Sequence, residues 1–209
     1  MEFLLRNYIR IHDWIHPRVM SRLGCAIYDG LHPKEVFGLR YKFFRDNVSS
    51  TDRVVDIACG TGSILGHISD CISYGVGVDL SNLQINLANR HNCRRNLDFY
   101  VGDIFEFDYS RVEFNVAILS HILEHIDDVV GFLKYIDVDK LLICVPSEEG
   151  WYSRLKWQLR LDTRTDASHY REYTKGGLRW HLEHAGYRVD YIGFNEDGNI
   201  ICRAFNEKR

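Results

Sequence analysis

The 209-residue chain predicts an α/β protein: a doubly wound, mostly parallel sheet of seven strands that ends in an antiparallel hairpin, with N-terminal helices in front. Three observations carry this. Short apolar runs alternate with helical patterns through the middle of the chain, as repeated βα units with right-handed crossovers do. A glycine-rich turn, Asp56-Ile57-Ala58-Cys59-Gly60-Thr61-Gly62, follows the first run. Two final strand-like runs flank Glu196-Asp197-Gly198, and Asp-Gly between such runs signals a hairpin.

Residues 2–28 read as a helix, with Phe3, Leu4, Tyr8, Ile11, Ile15 and Val19 near a helical period and Pro17 as a break. This helix is expected to lid the sheet or a ligand cleft; the alternative is a face that meets a membrane or a partner. A second helix, 33–47, starts near Pro33 and carries Val36, Phe37, Leu39, Phe43 and Phe44. Residues 1–47 thus form an N-terminal cap on a single domain spanning 1–209. Strands are expected near 53–58, 75–79, 97–101, 114–119, 140–145, 187–194 and 199–206. The first, with Val54, Val55 and Ile57, suits a strand covered on both faces. Helices are expected near 62–70, 81–93, 126–135 and 174–185. The stretch 147–170 is longer than a simple connection needs. Trp151, Tyr152 and Trp157 stand there among Arg154, Lys156, Arg160 and Arg164, partly balanced by Asp162 and Asp166. It reads either as a lid over an acceptor or as a short amphipathic helix with solvated charges.

Composition agrees with an ordinary enzyme domain. The chain is 45% hydrophobic and 13% aromatic, enough for one sizeable core. Its net charge of −3 provides no basic field to attract nucleic acid. The six cysteines form no C-x-x-C pair and no zinc spacing, so reduced thiols and a cytoplasmic location are expected. The N-terminus lacks a signal-peptide core, and no run is long enough to span a bilayer. No His/Cys/carboxylate set shows metal-ligand spacing, so no metal is expected.

The glycine turn points to a nucleoside. Gly60 and Gly62 let backbone turn tightly and approach a ligand. Asp79 ends the second strand run, Gly75-Val76-Gly77-Val78-Asp79, at the distance where a carboxylate meets a ribose diol. Leu65 stands where a dinucleotide fingerprint has its third glycine, and no G-x-x-x-x-G-K-[ST] loop is present. A ligand without a pyrophosphate fits better.

The turn resembles D-x-[AG]-C-G-T-G, the first signature of class I S-adenosylmethionine-dependent methyltransferases. Val101-Gly102-Asp103-Ile104 resembles their adenine-contacting segment, and Phe114–Ile126 the fourth strand with its following loop, Asn115 replacing the usual aspartate. Leu141–Pro146 resembles the fifth strand. His169-Tyr170-Arg171-Glu172-Tyr173-Thr174, with Leu178, Leu182 and Gly186-Tyr187, is similar to the late segment of the small-molecule, type 11-like branch that includes ubiquinone-type enzymes. The resemblance covers residues 36–209 and implies a Rossmann-like fold with S-adenosylmethionine as cofactor and S-adenosylhomocysteine as product.

It also implies roles. Ala58, Gly60 and Gly62 would let backbone approach the methionine part, and Asp56 would organise the loop or contact the amino group. Asp79 would take the ribose hydroxyls and Leu80 would pack on adenine. Asp103 would accept from the adenine amino group beside Ile104. Ser120 and His121 would lie under the methionine part, and Arg40 or Tyr41 would reach its carboxylate. All share the C-terminal rim of the strands, where open α/β sheets bind ligands.

Methyl transfer is an in-line displacement, so alignment comes first. A base is needed only for a hydroxyl or protonated amine. His125 and His169 are the candidate catalytic residues, with His121 a further one, because imidazole suits proton transfer near neutral pH. Glu124 would orient a histidine or cap the next helix, and His181 and His184 read as surface residues. His32-Pro33-Lys34 followed by Tyr41-x-Phe43-Phe44 resembles methyltransferases of bacterial surface sugars and glycolipids, so the expected partner is a small-molecule, glycan-type acceptor. Two alternatives stand: a macromolecular methyltransferase, disfavoured by the charge and by the lack of an N/D-P-P-[YF] signature, and a non-catalytic cofactor-binding scaffold, disfavoured by the complete rim.

Overall fold

The computed structural model describes residues 1–27, 41–109, 113–164 and 168–208. Seven strands form one sheet: β1 (Arg53–Ile57), β2 (Tyr74–Asp79), β3 (Leu97–Val101), β4 (Val116–Ser120), β5 (Lys140–Val145), β6 (Tyr187–Phe194) and β7 (Ile200–Asn206). Their spatial order is β3-β2-β1-β4-β5-β7-β6. Strands β1 to β5 pair in parallel, while β7 runs antiparallel to both β5 and β6. This is the expected Rossmann-like sheet with its terminal hairpin. The chain direction across the sheet reverses at β1, which has β2 on one side and β4 on the other. A crevice at such a switch point is where this architecture takes ligands.

Alternation along each strand sorts side chains to two covered faces. Val55 and Ile57 of β1 join a core with Leu119 and Ile143, closed by helix α5 (Val129–Ile136) and helix α7 (Lys175–Ala185). Val54 faces the other way, with Val116, Ile118 and Leu142. There it meets Phe44 of α2 (Tyr41–Arg45), Leu65 and Ile68 of α3 (Ser63–Ile68), and Ile85 and Ala88 of α4 (Asn82–His91). Leu65, Leu119 and Leu142 are fully buried, and truncating any of them to alanine costs about 2–5 kcal/mol.

A polar knot ties the strand bottoms together. The Asp52 carboxylate accepts from Lys140 Nζ at 2.8 Å and from Asn115 Nδ2 at 2.9 Å, and the Asn115 side-chain oxygen accepts from the Arg53 amide at 2.7 Å. Burial alone would raise the Asp52 pKa, but the hydrogen bonds from Lys140 and Asn115 outweigh it and hold the group below the usual carboxylate range. Asn115 therefore has a reason to stand in place of aspartate: its side-chain amide donates to Asp52 while its oxygen accepts from Arg53, both at the foot of β1, and a carboxylate could not make the first of these bonds.

The helix ends explain shifts from the expected boundaries. Helix α5 starts at Val129, because the Asp128 side chain caps it by accepting from the Gly131 amide at 2.8 Å. Upstream of it, Leu123–His125 form a separate 3-10 turn. Thr174 caps α7 by accepting from Gly177 at 2.9 Å, and Gly186 ends that helix at φ +91°. At the hairpin the Asn195 amide donates to Asn199 O at 2.9 Å, with Gly198 at φ +78°, as the Asp-Gly pair predicts.

The N-terminal helix departs from expectation twice. Helix α1 runs without a break from Glu2 to Ile27 through Pro17, which removes only one backbone donor from a long ladder. Its apolar residues do not pack on the sheet: Phe3, Leu4, Tyr8, Ile11, Ile15 and Val19 are all exposed, and Ile9 is buried instead. The second helix is described only from Tyr41 to Arg45; its expected start at 33 and the His32-Pro33-Lys34 motif lie outside the described residues. The 147–170 stretch contains helix α6 (Trp151–Gln158). Its charges are not all solvated: Lys156 is buried and pairs with Asp13 of α1 at 3.1 Å. Cys59, Cys71, Cys93, Cys144 and Cys202 form no disulfide. Among the described residues no helix is long and apolar enough to cross a membrane.

Candidate functional site

The loop after β1 is built from the backbone outward. Ala58 and Gly60 both adopt left-handed conformations, φ +60° and +55°. The Cys59 amide donates to Val78 O at 3.0 Å, which docks the loop onto β2. The Gly60 amide donates to Asp79 Oδ2 at 2.9 Å, while Asp79 Oδ1 accepts from the Ser81 amide at 2.8 Å. Each carboxylate oxygen is thereby oriented and keeps a lone pair for a second donor, as contact with a ribose diol requires. Asn92, just past α4, donates to Thr61 O at 2.8 Å and clamps the far side of the loop.

The two loop glycines have different reasons to be there. A β-carbon on Gly60 would meet nothing within 4 Å, so this backbone faces open space. A β-carbon on Gly62 would stand 2.3 Å from Phe99 Cε1 and 3.1 Å from Ala88 Cβ, and its φ is +69°. Gly62 is thus demanded by helix–sheet packing and by the left-handed turn into α3. The left-handed turn expected of it is present, and the packing against Phe99 is an additional demand.

The cleft itself is lined by Asp56, Ala58, Gly60, Ser63, Ser120 and His121, among others. Asp56 is buried, on the loop side of β1. Ser120 ends β4, and His121 follows in a left-handed conformation at φ +57°, its amide donating to Cys144 O at 2.8 Å. Two non-glycine residues with positive φ, Ala58 and His121, therefore border one cleft, and strain of this kind gathers at functional sites. Leu80 is exposed, open for a flat ring to cover it. Asp103 caps its own turn, accepting from the Phe105 amide at 2.9 Å, and Ile104 beside it is buried. Tyr41 is buried and its ring stacks on His67, centroids 4.0 Å apart, so packing already occupies it. Arg40 lies outside the described residues.

His121 leads to a second group of side chains. Its Nδ1 lies 3.5 Å from Oε1 of Glu124, a buried residue of the 3-10 turn. His125 and His169 meet edge to face, ring centroids 4.6 Å apart. One donor atom from each of Glu124, His125 and His169 lies within 4.8 Å of the other two. Backbone hydrogen bonds bring the distant segments together. The Tyr170 amide donates to Glu124 O at 2.9 Å, Arg171 donates to Ile126 O and to Asp127 O, and the Tyr173 hydroxyl donates to Leu123 O. Tyr173 in turn bridges Ser147 past the end of β5. The His169 Nδ1–H donates to Glu172 Oε1 at 3.2 Å, and His125 Nδ1 sits 3.2 Å from the Ser168 hydroxyl. Linear spacing shows no metal-ligand set, but folding brings Glu124, His125 and His169 together from separate segments. Glu172 and Ser168 are new to the site; the i, i+3 spacing from His169 to Glu172 was the available signal. His181 and His184 bond carbonyls of their own helix, and the His181 ring meets Tyr173 edge to face.

With this geometry in place, the likeness to known proteins is informative. A family model described as a methyltransferase domain matches residues 32–192. Over 98 residues the chain is 33% identical to the ubiquinone biosynthesis O-methyltransferase of Bradyrhizobium diazoefficiens, a match spanning 44% of this chain and 38% of that relative's length. Among solved structures, the complex of the Haloferax volcanii Trm112 methyltransferase activator with a methyltransferase aligns at TM-score 0.69 and 17% identity, over 88% of this chain and 96% of that one. The pyocyanin biosynthetic protein PhzM aligns at TM-score 0.69 and 17% identity, over 90% and 61%. CalO1, a methyltransferase of calicheamicin biosynthesis in its SAH-bound form, aligns at 0.65 and 16%, over 86% and 56%. These structural likenesses carry the fold. Together with the family model and the loop that anchors Asp79 they give one conclusion: the chain belongs to the methyltransferase domain family, of the class I type whose cofactor is S-adenosylmethionine.

Proposed function

We propose that this chain transfers a methyl group from S-adenosylmethionine to a hydroxyl of a small-molecule acceptor, with a sugar or glycolipid precursor as the leading class. The observation that carries the reading is the juxtaposition on one rim. The cleft holding Asp56, Gly60 and Asp79's loop opens at His121, and His121 touches the Glu124–His125–His169 cluster. When bound, the cofactor supplies a methyl carbon on a sulfonium sulfur, which an acceptor oxygen displaces in line.

The residues divide the work. Gly60 leaves room for the methionine part, the Asp79 carboxylate takes the ribose hydroxyls, and Leu80 and Ile104 border the adenine with Asp103. His125 and His169 face the acceptor side and assist loss of its hydroxyl proton. The stretch that follows α6 is assigned the acceptor wall, because Arg164 donates to His169 O at 3.5 Å. The name of the Bradyrhizobium relative favours oxygen as the methylated atom, and the slight net negative charge weighs against a nucleic-acid acceptor.

The test is transfer of labelled methyl groups to a panel of free sugars, nucleotide sugars, glycolipid precursors and polyhydroxylated phenols. Turnover on a sugar-containing acceptor, lost on His169→Gln with S-adenosylhomocysteine affinity retained, supports the proposal. Turnover only on RNA or protein, or cofactor binding with no acceptor of any class, would contradict it.

A further inference from the structure

We infer that Glu124, His125 and His169 form a binding site for a divalent transition-metal cation on the acceptor side of the cleft. The inference rests on the reading of the rim given under Proposed function and adds an inorganic cofactor to it.

Four observations support it. First, the donor set is right: two imidazoles and one carboxylate are the ligands of open, three-residue zinc sites and of the facial triad that holds ferrous iron. Second, the donor atoms lie within 4.8 Å of one another. Three atoms at that spacing surround a point about 2.8 Å from each, so closure by under about 1 Å brings metal–ligand distances to about 2.0–2.2 Å.

Third, Glu124 is 1% exposed, and among the described residues neither of its carboxylate oxygens receives a hydrogen bond. His121 lies at ion-pair distance only and would have to be protonated to compensate it. A buried carboxylate without donors calls for a positive charge. Fourth, the histidines are prepared as ligands. A metal-bound imidazole characteristically donates its remaining N–H to a carboxylate or another oxygen. His169 does this to Glu172, whose side chain is itself 1% exposed, and His125 has the Ser168 hydroxyl beside its Nδ1.

Imidazole ligands favour zinc, copper, iron or nickel over magnesium. With three protein ligands, the cation keeps open positions for an acceptor oxygen. Coordination lowers the pKa of that hydroxyl, its proton leaves to solvent, and the oxygen retains the electron pair with which it attacks the methyl carbon. The two imidazoles then assist proton loss as ligands and do not receive the proton themselves.

The experiment is calorimetric titration of the chelator-stripped full chain with zinc chloride, with cobalt chloride followed in parallel by its visible absorption. The expected result is one saturable site, weakened at least about 100-fold in Glu124→Gln and His169→Gln and about 10–100-fold in Glu172→Gln. Binding of S-adenosylhomocysteine is measured on every variant and should be retained, which also reports that each is folded. Should Glu124→Gln fail that control, His125→Gln carries the same expectation. The inference is overturned if the intact protein shows no saturable zinc site, or if its affinity is the same in the Glu124 and His169 variants. Loss of S-adenosylhomocysteine binding by the intact protein with the zinc site preserved would refute the cofactor reading and leave this site standing.

Discussion

The two halves of the rim are made in opposite ways. The cofactor half is local: within one stretch, Ala58, Gly60 and Gly62 shape a turn, and the end of the very next strand supplies Asp79 to hold it. The acceptor half is non-local. Glu124 and His125 follow β4, whereas His169 and Glu172 arrive from beyond β5 and α6, stitched on by Arg171 and by the Tyr170 amide. A local site survives variation elsewhere in the chain and can be recognised by motif. A stitched site can change its acceptor by altering one of its strands of chain while the cofactor half stays fixed, which is how one fold hosts many substrates.

Substitutions should separate the halves. The largest effect is expected on the acceptor side: His125→Gln or His169→Gln lowers turnover by about 10²–10⁴-fold while cofactor affinity stays within about twofold, read by steady-state kinetics beside calorimetry. A parallel loss of cofactor affinity would mean that the halves are not independent. Next comes Gly62→Val. The left-handed φ and the 2.3 Å approach to Phe99 should cost about 3 kcal/mol of stability, measured by denaturant unfolding, with cofactor binding lost as the turn is displaced.

Asp52→Asn tests the polar knot that underlies both halves. Leaving Lys140 with a neutral partner should cost about 2 kcal/mol at pH 7. The folded-state pKa of Asp52 lies below its unfolded value of about 3.9, so its contribution is complete above that value and is lost as pH falls through the folded pKa. The wild type should therefore lose stability below about pH 4 more steeply than the variant does; equal slopes would show that the pairing contributes nothing. Smallest is Gly60→Ala. With open space around the β-carbon only backbone strain opposes it, so stability should fall by about 1 kcal/mol, and cofactor affinity should fall more than stability does.

The same contrast explains what could be read in advance. The sheet and the hairpin follow from periodicity and turn chemistry, because βα units are local in sequence. Gly62 was recognised as a tight-turn residue, as its left-handed φ bears out, but its packing was not: Phe99 and Ala88 come from two other elements, and their approach is invisible along the chain. The start of α5 was placed at 126, three residues early, because only the cap at Asp128 shows where the helix begins. The α1 residues Phe3, Tyr8 and Ile11 have the periodicity of a buried face and yet are exposed, since a helical repeat says that a face exists and not what covers it. The grouping of Glu124, His125 and His169 was not legible in the sequence. Spacing rules detect ligands that share a segment, and Glu124 and His169 do not.

The central claim is that the loop after β1 and Asp79 form an S-adenosylmethionine site. Calorimetric titration of the full chain with S-adenosylmethionine and S-adenosylhomocysteine tests it directly, with Asp79→Ala alongside. The account predicts one saturable site for each ligand in the intact protein and a loss of at least about 100-fold in affinity in the variant, whose fold persists. Absence of binding to the intact protein, or equal affinity in the variant, would contradict it.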